Sequence, residues 1–309
     1  VRRTAHPLRR RDEAHVLTIV HGSDLHFGKP HRAEAAEAFE STIRSVSPDL
    51  LVVSGDLTQR AKVGEFQQAR AYLDRFEGIP TVVTPGNHDV PLYRVFERLM
   101  DPYRNYRRYI TDRLDYVTDL DRAMVVSLNS AAPRARIVNG MVRRSQLGFA
   151  LEAFRKARPE QARIVVLHHH IASAPDYEAD RPLVGARKVL DALDDMGVEL
   201  ILSGHLHRAY LGNSRDVFPA RKRDGGITIV HSGTTTSWRG RAREQAQNTC
   251  NRIRVGDHVV EITHLLFIPE EGRFSPISRH EFPRRHLGIL GPEVDASLLR
   301  LANEDEAER

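Results

Sequence analysis

Short, almost continuously apolar runs recur along the chain and alternate with longer amphipathic stretches. Strands that are buried on both faces have the first pattern, because a parallel sheet covered by helices leaves neither face in water. The longer stretches place apolar residues three or four positions apart, which is typical of helices with one buried face. We therefore predict strands at 15–20, 50–53, 81–84, 123–128, 164–167, 198–202 and 227–230, and helices at about 31–47, 62–77, 145–158 and 186–197.

After residue 225 the pattern changes, and strand follows strand without a helix between them. The apolar runs at 227–230, 251–255 and 259–268 have no obvious helix between them. An α/β fold with two central sheets flanked by helices fits this order better than a single doubly wound sheet. We expect a basic N-terminal extension over 1–14, one domain over 15–268, and a polar C-terminal extension over 269–309 that wraps the core or frays.

Composition is that of an ordinary globular protein, with 309 residues, 28% charged positions and a net charge of +5. No apolar run reaches the roughly 18 to 20 residues that a membrane-spanning helix needs. The single cysteine, Cys250, cannot form an intramolecular disulfide. No apolar segment of signal-peptide length follows the N-terminal arginines, so we expect a cytoplasmic location.

Five polar clusters follow predicted strands, where α/β folds place their ligand-binding groups. In extended backbone, residues two apart point to one side about 7 Å apart, so each Asp-x-His or His-x-His pair is expected to converge on one spot. Carboxylates with imidazoles suit Zn, Fe or Mn. A single histidine is more often structural, but five clusters in this position indicate a metal site. They are Asp24-Leu25-His26, Gly55-Asp56, Gly86-Asn87-His88-Asp89, His168-His169-His170 and Gly204-His205-Leu206-His207.

This series of clusters resembles the calcineurin-like metallophosphoesterase superfamily, over roughly residues 15 to 240. The stretches 54–58, 85–90 and 232–234 are most similar to the bacterial branch that includes the class III cyclic-nucleotide phosphodiesterases. The resemblance implies a four-layer α/β/β/α sandwich and a dinuclear centre of divalent or trivalent transition metals, Mn, Fe or Zn, with Mn favoured. It also implies attack on phosphorus by a hydroxide shared between the two ions.

The same resemblance implies roles for individual residues. Asp56 bridges the two metals, His88 protonates the leaving oxygen, and Asp89 orients the ring of His88. The first metal is held by Asp24, His26 and His207, and the second by Asn87, His168 and His205.

The triple histidine departs from the family's common pattern of a histidine pair followed by proline. We favour His168 as the ligand because it directly ends an apolar run, with His169 as the alternative. The period of two in a strand would place His170 on the face of His168 and His169 opposite. We expect His21 and His231, which also end apolar runs, to be hydrogen-bonded structural residues.

Residues 91–116 interleave six aromatic residues with six arginines, directly after Asp89. A helical cap whose arginines touch a phosphate or whose rings stack on a base is one interpretation. We prefer an amphipathic helical pair that packs its aromatic face on the core. The arginines after Trp238, at 239, 241 and 243, are given the same interpretation of exposed surface charge.

The function that follows from the resemblance is hydrolysis of a small phosphodiester, such as a cyclic nucleotide or a glycerophosphodiester. Alternatives are a pyrophosphatase of lipid precursors of the UDP-diacylglucosamine type, then a nuclease, then a scaffold without metals. Nucleic acid is the less expected partner, because the arginines are spread along the chain. The sequence is also compatible with peripheral contact between the protein and a membrane.

Overall fold

A computed structural model describes residues 16–134, 138–173, 181–217, 226–241 and 244–284. The predicted N-terminal extension lies outside the described residues, as does Arg243. The strands are β1 Leu17–Gly22, β2 Leu50–Val53, β3 Thr81–Val83, β4 Tyr116–Leu120, β5 Ala123–Ser127, β6 Ala162–Val166, β7 Leu200–Ser203, β8 Tyr210–Asn213, β9 Thr228–His231, β10 Thr249–Val255, β11 Val259–Ile268 and β12 Arg273–Pro283. The helices are α1 Ala33–Val46, α2 Val63–Leu73, α3 Val95–Met100, α4 Arg104–Tyr109, α5 Arg144–Phe154, α6 Ala186–Asp195 and α7 Ser214–Val217.

The strands form two six-stranded mixed sheets. The first has the order β12-β11-β10-β1-β2-β3, in which β1, β2 and β3 are parallel and the other strands antiparallel. The second has the order β4-β5-β6-β7-β9-β8, in which the four central strands are parallel and the two edges antiparallel. Parallel neighbours end at the same edge of a sheet, so the loops that carry the polar clusters are brought together.

Three apolar clusters make the layers. Residues from facing strands, such as Ile19 and Ile164, fill the space between the two sheets. Helices α1 and α2 cover the outer face of the first sheet, through residues such as Phe39 and Phe66. Helices α5 and α6 cover the outer face of the second sheet, through residues such as Phe154. The predicted four-layer α/β/β/α sandwich is therefore confirmed.

The C-terminal segment corrects the domain boundary that we placed at residue 268. Residues 273–283 form β12, which pairs along β11 as the edge of the first sheet. Its polar composition and Pro276 hide the strand in the sequence, but an edge strand tolerates proline because one side of its backbone needs no partner. The remainder of the predicted extension, from 285 onward, lies outside the described residues.

The segment 91–116 holds two short helices, α3 and α4. Tyr103, Tyr106 and Tyr116 are buried against the core, in agreement with the amphipathic interpretation. Tyr93 and Phe96, by contrast, are 69% and 77% exposed. No helix among the residues described here is both long and apolar enough to cross a bilayer.

A buried ion pair joins the end of the first sheet to the second. The guanidinium of Arg284, just after β12, donates to both carboxylate oxygens of Glu199, each at 2.9 Å, and both side chains are about 5% exposed. Removal of one partner leaves the other charge buried without compensation, which is more costly than the loss of an exposed pair.

We expect Glu199→Gln to lower the free energy of unfolding by about 3 kcal/mol, because Arg284 keeps its buried charge. The matched control is Glu281→Gln, which breaks the exposed pair with Arg279 and should change stability by less than about 0.5 kcal/mol. Urea unfolding followed by circular dichroism measures both. Equally small decreases in the free energy of unfolding of both variants would show that the buried ion pair does not stabilise the contact between the sheets.

Candidate metal centre

Every predicted metal ligand lies in a loop at the carboxyl end of a strand. Asp24 and His26 follow β1, Asp56 follows β2, and Asn87 follows β3 of the first sheet. From the second sheet, His168 follows β6, and His205 and His207 follow β7. The inter-sheet core ends at these loops, so that the polar atoms of both sheets face one another.

Asp24, His26, Asp56 and His207 form a compact buried cluster, with one ligand atom of each within 4.8 Å of all the others. The Nε2 atoms of His26 and His207 are 3.1 Å apart. Nε2 of His207 lies 3.0 Å from Oδ1 of Asp24. Nε2 of His26 lies 3.7 Å from Oδ2 of Asp56.

A second set of donors shares Asp56. Nε2 of His168 lies 3.4 Å from Oδ2 of Asp56 and 3.2 Å from the amide oxygen of Asn87. The same amide oxygen is 2.9 Å from Nδ1 of His205. All seven predicted ligands are thus brought together, in two groups with Asp56 between them.

The backbone explains the convergence better than the period of two that we inferred from the sequence. Five of the seven residues have positive φ, a conformation that costs a residue other than glycine about 1–3 kcal/mol. They are Asp24 (55°), His26 (48°), Asp56 (51°), His205 (76°) and His207 (55°). The i, i+2 pairs therefore converge because tight left-handed turns aim them inward, not because the backbone is extended. Such strain is typical of functional sites.

Close approach of the loops requires glycine at two places. A Cβ on Gly86 would lie 2.1 Å from Oδ1 of Asp56, and one on Gly204 would lie 2.5 Å from Oδ2 of Asp24. Larger residues would push the carboxylates out of place. These glycines therefore serve close packing around the site.

Backbone carbonyls fix the orientation of the imidazole rings. Nδ1 of His168 bonds to the carbonyl of Ser54, and Nδ1 of His207 to the carbonyl of Arg239, both at 2.8 Å. A carbonyl only accepts, so each Nδ1 carries a hydrogen and each Nε2 presents its lone pair to the cluster when the ring is neutral. This arrangement is common around metal-bound histidines.

The residue that holds His88 differs from the one we predicted. Nδ1 of His88 bonds to the carbonyl of Gln59 at 2.8 Å. Asp89 instead accepts hydrogen bonds from the backbone N–H groups of Gly86, Leu57 and Thr58 and from the Thr58 hydroxyl. The prediction that Asp89 orients His88 is therefore wrong: its carboxylate ties together the loops after β2 and β3.

The three consecutive histidines are all buried, and the ring of His168 reaches Asp56 and Asn87. The chain leaves β6 at Val166 and turns, so the period of two no longer applies. His169 bonds to the Ser130 hydroxyl through Nδ1, at 2.9 Å. The rings of both His169 and His170 pack on the ring of His205. The expectation that His169 points to the opposite side is therefore wrong.

The histidines at 21 and 231 are hydrogen-bonded and buried, as expected of structural residues. Nε2 of His21 lies 2.9 Å from the Ser54 hydroxyl, next to the carbonyl that holds His168. His231 contacts the Ser203 hydroxyl through Nδ1 at 3.1 Å.

The charges of the cluster depend on one another. Burial would raise the pKa of Asp24 and Asp56, but the surrounding imidazoles, chiefly His207 and His168 respectively, outweigh it and hold both pKa values well below the usual range. Burial lowers the pKa of His26 to about 4. Burial would also lower the pKa of His168, but the carboxylates of Asp56 and Asp24 raise it to about 9.

The donor set fits a bound cation. Oδ1 of Asp24 and Oδ2 of Asp56 are buried and accept no hydrogen bond of normal geometry from the residues that the structure describes. Buried carboxylate oxygens are rarely left unsatisfied. Both oxygens lie within 4 Å of imidazole Nε2 atoms, so a cation at this point would have mixed oxygen and nitrogen ligands.

The ionisation of the Asp89 carboxyl also depends on the charge of a cation bound beside Asp56. Burial and the neighbouring carboxylate of Asp56 raise the pKa of Asp89 to about 7. Its four hydrogen-bond donors favour the ionised form, so a cation beside Asp56 would remove the repulsion that opposes it.

Asp89→Asn tests whether this residue holds the loops or tunes His88. Because an amide has one acceptor oxygen in place of two, we expect the variant to lose about 2 kcal/mol of unfolding free energy. The exposed pair Arg70–Asp74 offers a matched control, Asp74→Asn, which should be nearly neutral. Thermal unfolding measures both variants. A stable Asp89→Asn variant with only a changed pH profile would restore the original assignment.

Sequence reasoning missed Gln59 and Ser54, because they act through carbonyl groups that every residue has. It considered Arg239 only as surface charge, whereas the structure brings its backbone to His207 and its half-buried side chain to Gln59. No residue-type signal could have found these contacts, which depend on how the loops meet.

Comparison with known proteins finds a relative in sequence. The chain is 26% identical over 216 residues to a probable cyclic nucleotide phosphodiesterase from Synechococcus sp., covering 64% of this chain and 76% of that protein.

Solved structures share the fold at low identity. A purple acid phosphatase from yellow lupin (Lupinus luteus) seeds superposes with a TM-score of 0.62 and 13% identity, over 90% of this chain and 56% of that one. A dimetal phosphatase from Danio rerio gives a TM-score of 0.59 and 10% identity, over 87% and 99%. At these identities the likeness establishes the fold. The family described as calcineurin-like phosphoesterase matches residues 17–209, and the chain therefore belongs to the calcineurin-like phosphoesterases, metal-dependent hydrolases of phosphoric ester bonds.

Proposed function

We propose that this protein is a phosphodiesterase that hydrolyses a small phosphodiester of the cyclic-nucleotide or glycerophosphodiester type, with Mn²⁺ as the preferred metal. The observation that carries the proposal is the pair of buried carboxylates, Asp24 and Asp56, whose free oxygens face imidazole nitrogens. The preference for a diester is supported by the similarity to a probable cyclic nucleotide phosphodiesterase.

The assignment of ligands follows the two groups of donors. Asp24, His26 and His207 would hold one ion, and Asp56 would serve both ions. The second ion would be held by Asn87, His168 and His205. When bound, two such cations supply positive charge to the phosphoryl oxygens and make water more acidic.

His88 is the acid in this proposal, and its position supports the role. Its ring lies edge-on to that of His26, with 4.9 Å between the centroids, and it is not among the closely packed ligand atoms. Nδ1 of His88 donates its hydrogen bond to the Gln59 carbonyl, so Nε2 is the atom that would donate a proton to the leaving oxygen. The carbonyl holds the ring in this orientation whether or not Nε2 is protonated.

A substrate panel tests the proposal directly. Metal-loaded protein is assayed with a nitrophenyl diester and monoester, 3′,5′- and 2′,3′-cyclic nucleotides, a glycerophosphodiester, a UDP-linked lipid precursor and single-stranded DNA. We expect diesters to be hydrolysed with a higher kcat/KM than the monoester, and chelator to abolish turnover. Higher kcat/KM on the monoester would contradict the proposed specificity.

Two variants separate acid catalysis from metal binding. His88→Ala should keep about two metal ions per chain but lose about 10²- to 10⁴-fold in kcat, because only the proton donor is removed. Asp56→Asn should lose metal as well, because the carboxylate serves both donor groups. Elemental analysis of the purified protein and initial rates measure the two effects. Near-normal turnover of Asp56→Asn would contradict the assignment of Asp56 as the ligand shared by both metal ions.

A second candidate is the pyrophosphatase of lipid precursors, which one feature of the surface favours. Helix α3 and the residue pair before it expose several large apolar side chains, which a soluble substrate does not require. They are Tyr93, Val95, Phe96, Leu99 and Met100. Turnover of the UDP-linked lipid that increases with acyl-chain length would favour this candidate over the first.

A further inference from the structure

A cleft of about 620 Å³ is lined by residues of the loops after β1, β2 and β9, among them Gln59 and Arg239. Four of its lining residues are cationic: Lys29, Arg60, Lys62 and Arg239. The carboxylate that lines it belongs to Glu65, which already accepts hydrogen bonds from the backbone N–H groups of Arg60 and Lys62, at 2.7 and 3.2 Å. The cleft is therefore strongly positive.

None of these four cations forms a salt bridge within the described part of the chain, although the Arg239 guanidinium is attracted at longer range to the buried carboxylates of Asp56 and Asp24. None of them lies within 4.0 Å of a carboxylate oxygen there, whereas exposed arginines elsewhere, such as Arg44 and Arg75, pair with Glu40. Like charges gathered in one cleft repel one another, so an anion in the cleft would be bound favourably.

The fold, rather than chance exposure, builds this cleft. The loop after β9 is bound to the loop after β1 by a hydrogen bond from the Trp238 N–H to the Pro30 carbonyl, at 2.8 Å. The loop after β2 is bound to the loop after β1 in the same way, from the Gln59 N–H to the Phe27 carbonyl, at 3.0 Å. The three loops that carry the cations are thus held in a fixed relation.

The cleft shares a wall with the catalytic groups. The carbonyls of Gln59 and Arg239 hold the rings of His88 and His207. The side chains of the same two residues meet, since Nη1 of Arg239 donates to Oε1 of Gln59 at 3.0 Å. A group bound here lies next to the His207 and His88 side of the site.

The guanidinium of Arg60 is also positioned. It lies over the ring of Tyr93, 4.5 Å from the centroid, and the carbonyl of Arg60 accepts a hydrogen bond from Arg94 at 3.1 Å. The segment 91–116 therefore supports Arg60 through its first residues, Tyr93 and Arg94.

We propose that this cleft binds a second phosphate group of the substrate, so that the preferred phosphodiester carries an anionic group besides the phosphate that is cleaved. Arginine and lysine are the side chains that bind phosphate most often, through charge-assisted hydrogen bonds. A simple cyclic nucleotide has one phosphate and would leave the cleft without an anion. The proposal rests on the proposed function and narrows its substrate class.

The second phosphate could be carried on a sugar or joined directly to the cleaved phosphate, and the experiment separates these sources. The p-nitrophenyl ester of thymidine 5′-phosphate is compared with the same ester that bears an added 3′-phosphate. ADP-ribose supplies the directly joined case. Binding of thymidine 5′-phosphate and thymidine 3′,5′-bisphosphate, measured by calorimetry, gives a readout that does not depend on turnover.

We expect kcat/KM for the ester with the added 3′-phosphate, or for ADP-ribose with its joined phosphate, to exceed that for the p-nitrophenyl ester of thymidine 5′-phosphate. We also expect thymidine 3′,5′-bisphosphate to bind more tightly than thymidine 5′-phosphate. In the double variant Arg60→Ala, Lys62→Ala this advantage should fall by about tenfold, the loss expected for two solvent-exposed ion pairs. Activity on the singly charged ester should change much less. The matched control is Lys188→Ala, which removes an exposed lysine on α6 and should leave kcat/KM for both esters unchanged.

The advantage should also shrink as salt is raised, because exposed charges are screened. If the metal-loaded protein hydrolyses diesters but gains nothing from either second phosphate, the cleft proposal is wrong and the phosphodiesterase proposal stands. If the double variant loses activity on all substrates equally, the cations act on the cleaved phosphate instead. If no diester is hydrolysed at all, the proposed function itself fails.

Discussion

Asp24 and Asp56 place two carboxylates in the interior, where ionised groups are tolerated only with a compensating charge. Much of the surrounding structure serves this requirement. Imidazoles from both sheets surround the carboxylates, and the charges that these groups impose on one another lower the pKa of the acids and raise that of His168. One oxygen of each carboxylate accepts no hydrogen bond of normal geometry within the described structure, which indicates that bound cations would complete the compensation.

The sandwich holds this charged centre rigidly. The apolar core between the sheets fixes the strand ends, and the loops beyond them take up left-handed backbone at five ligand positions. Backbone carbonyls then orient the rings of His88, His168 and His207. The orientation of each ring is thus set by main-chain geometry, which does not depend on the side chain of the residue that supplies the carbonyl. The same loops bring Arg239 and Gln59 together, so the metal centre and the cationic cleft are parts of one arrangement.

The sequence predicted the layers well because their strands are buried on both faces and therefore continuously apolar. It missed β4, β8 and β12, which are edge strands with mixed polarity, and Pro276 further obscured the last of them. The convergence of the seven candidate metal ligands could be predicted because Asp, Asn and His are distinctive residue types in a distinctive order. The role of Asp89 and the orientation of His169 were predicted wrongly, because both depend on how the chain turns after a strand. The cleft could not be predicted, since Lys29, Arg60 and Arg239 lie far apart in the sequence and look like ordinary surface charge.

The geometry around Asp56 predicts that its two groups of donors bind two metal ions. Crystals grown with Mn²⁺ and measured at a wavelength where manganese scatters anomalously test it most directly. We expect two anomalous peaks, one on the side of His26 and His207 and one on the side of His168 and His205, with Asp56 between them. A single peak, or peaks remote from Asp24 and Asp56, would contradict it.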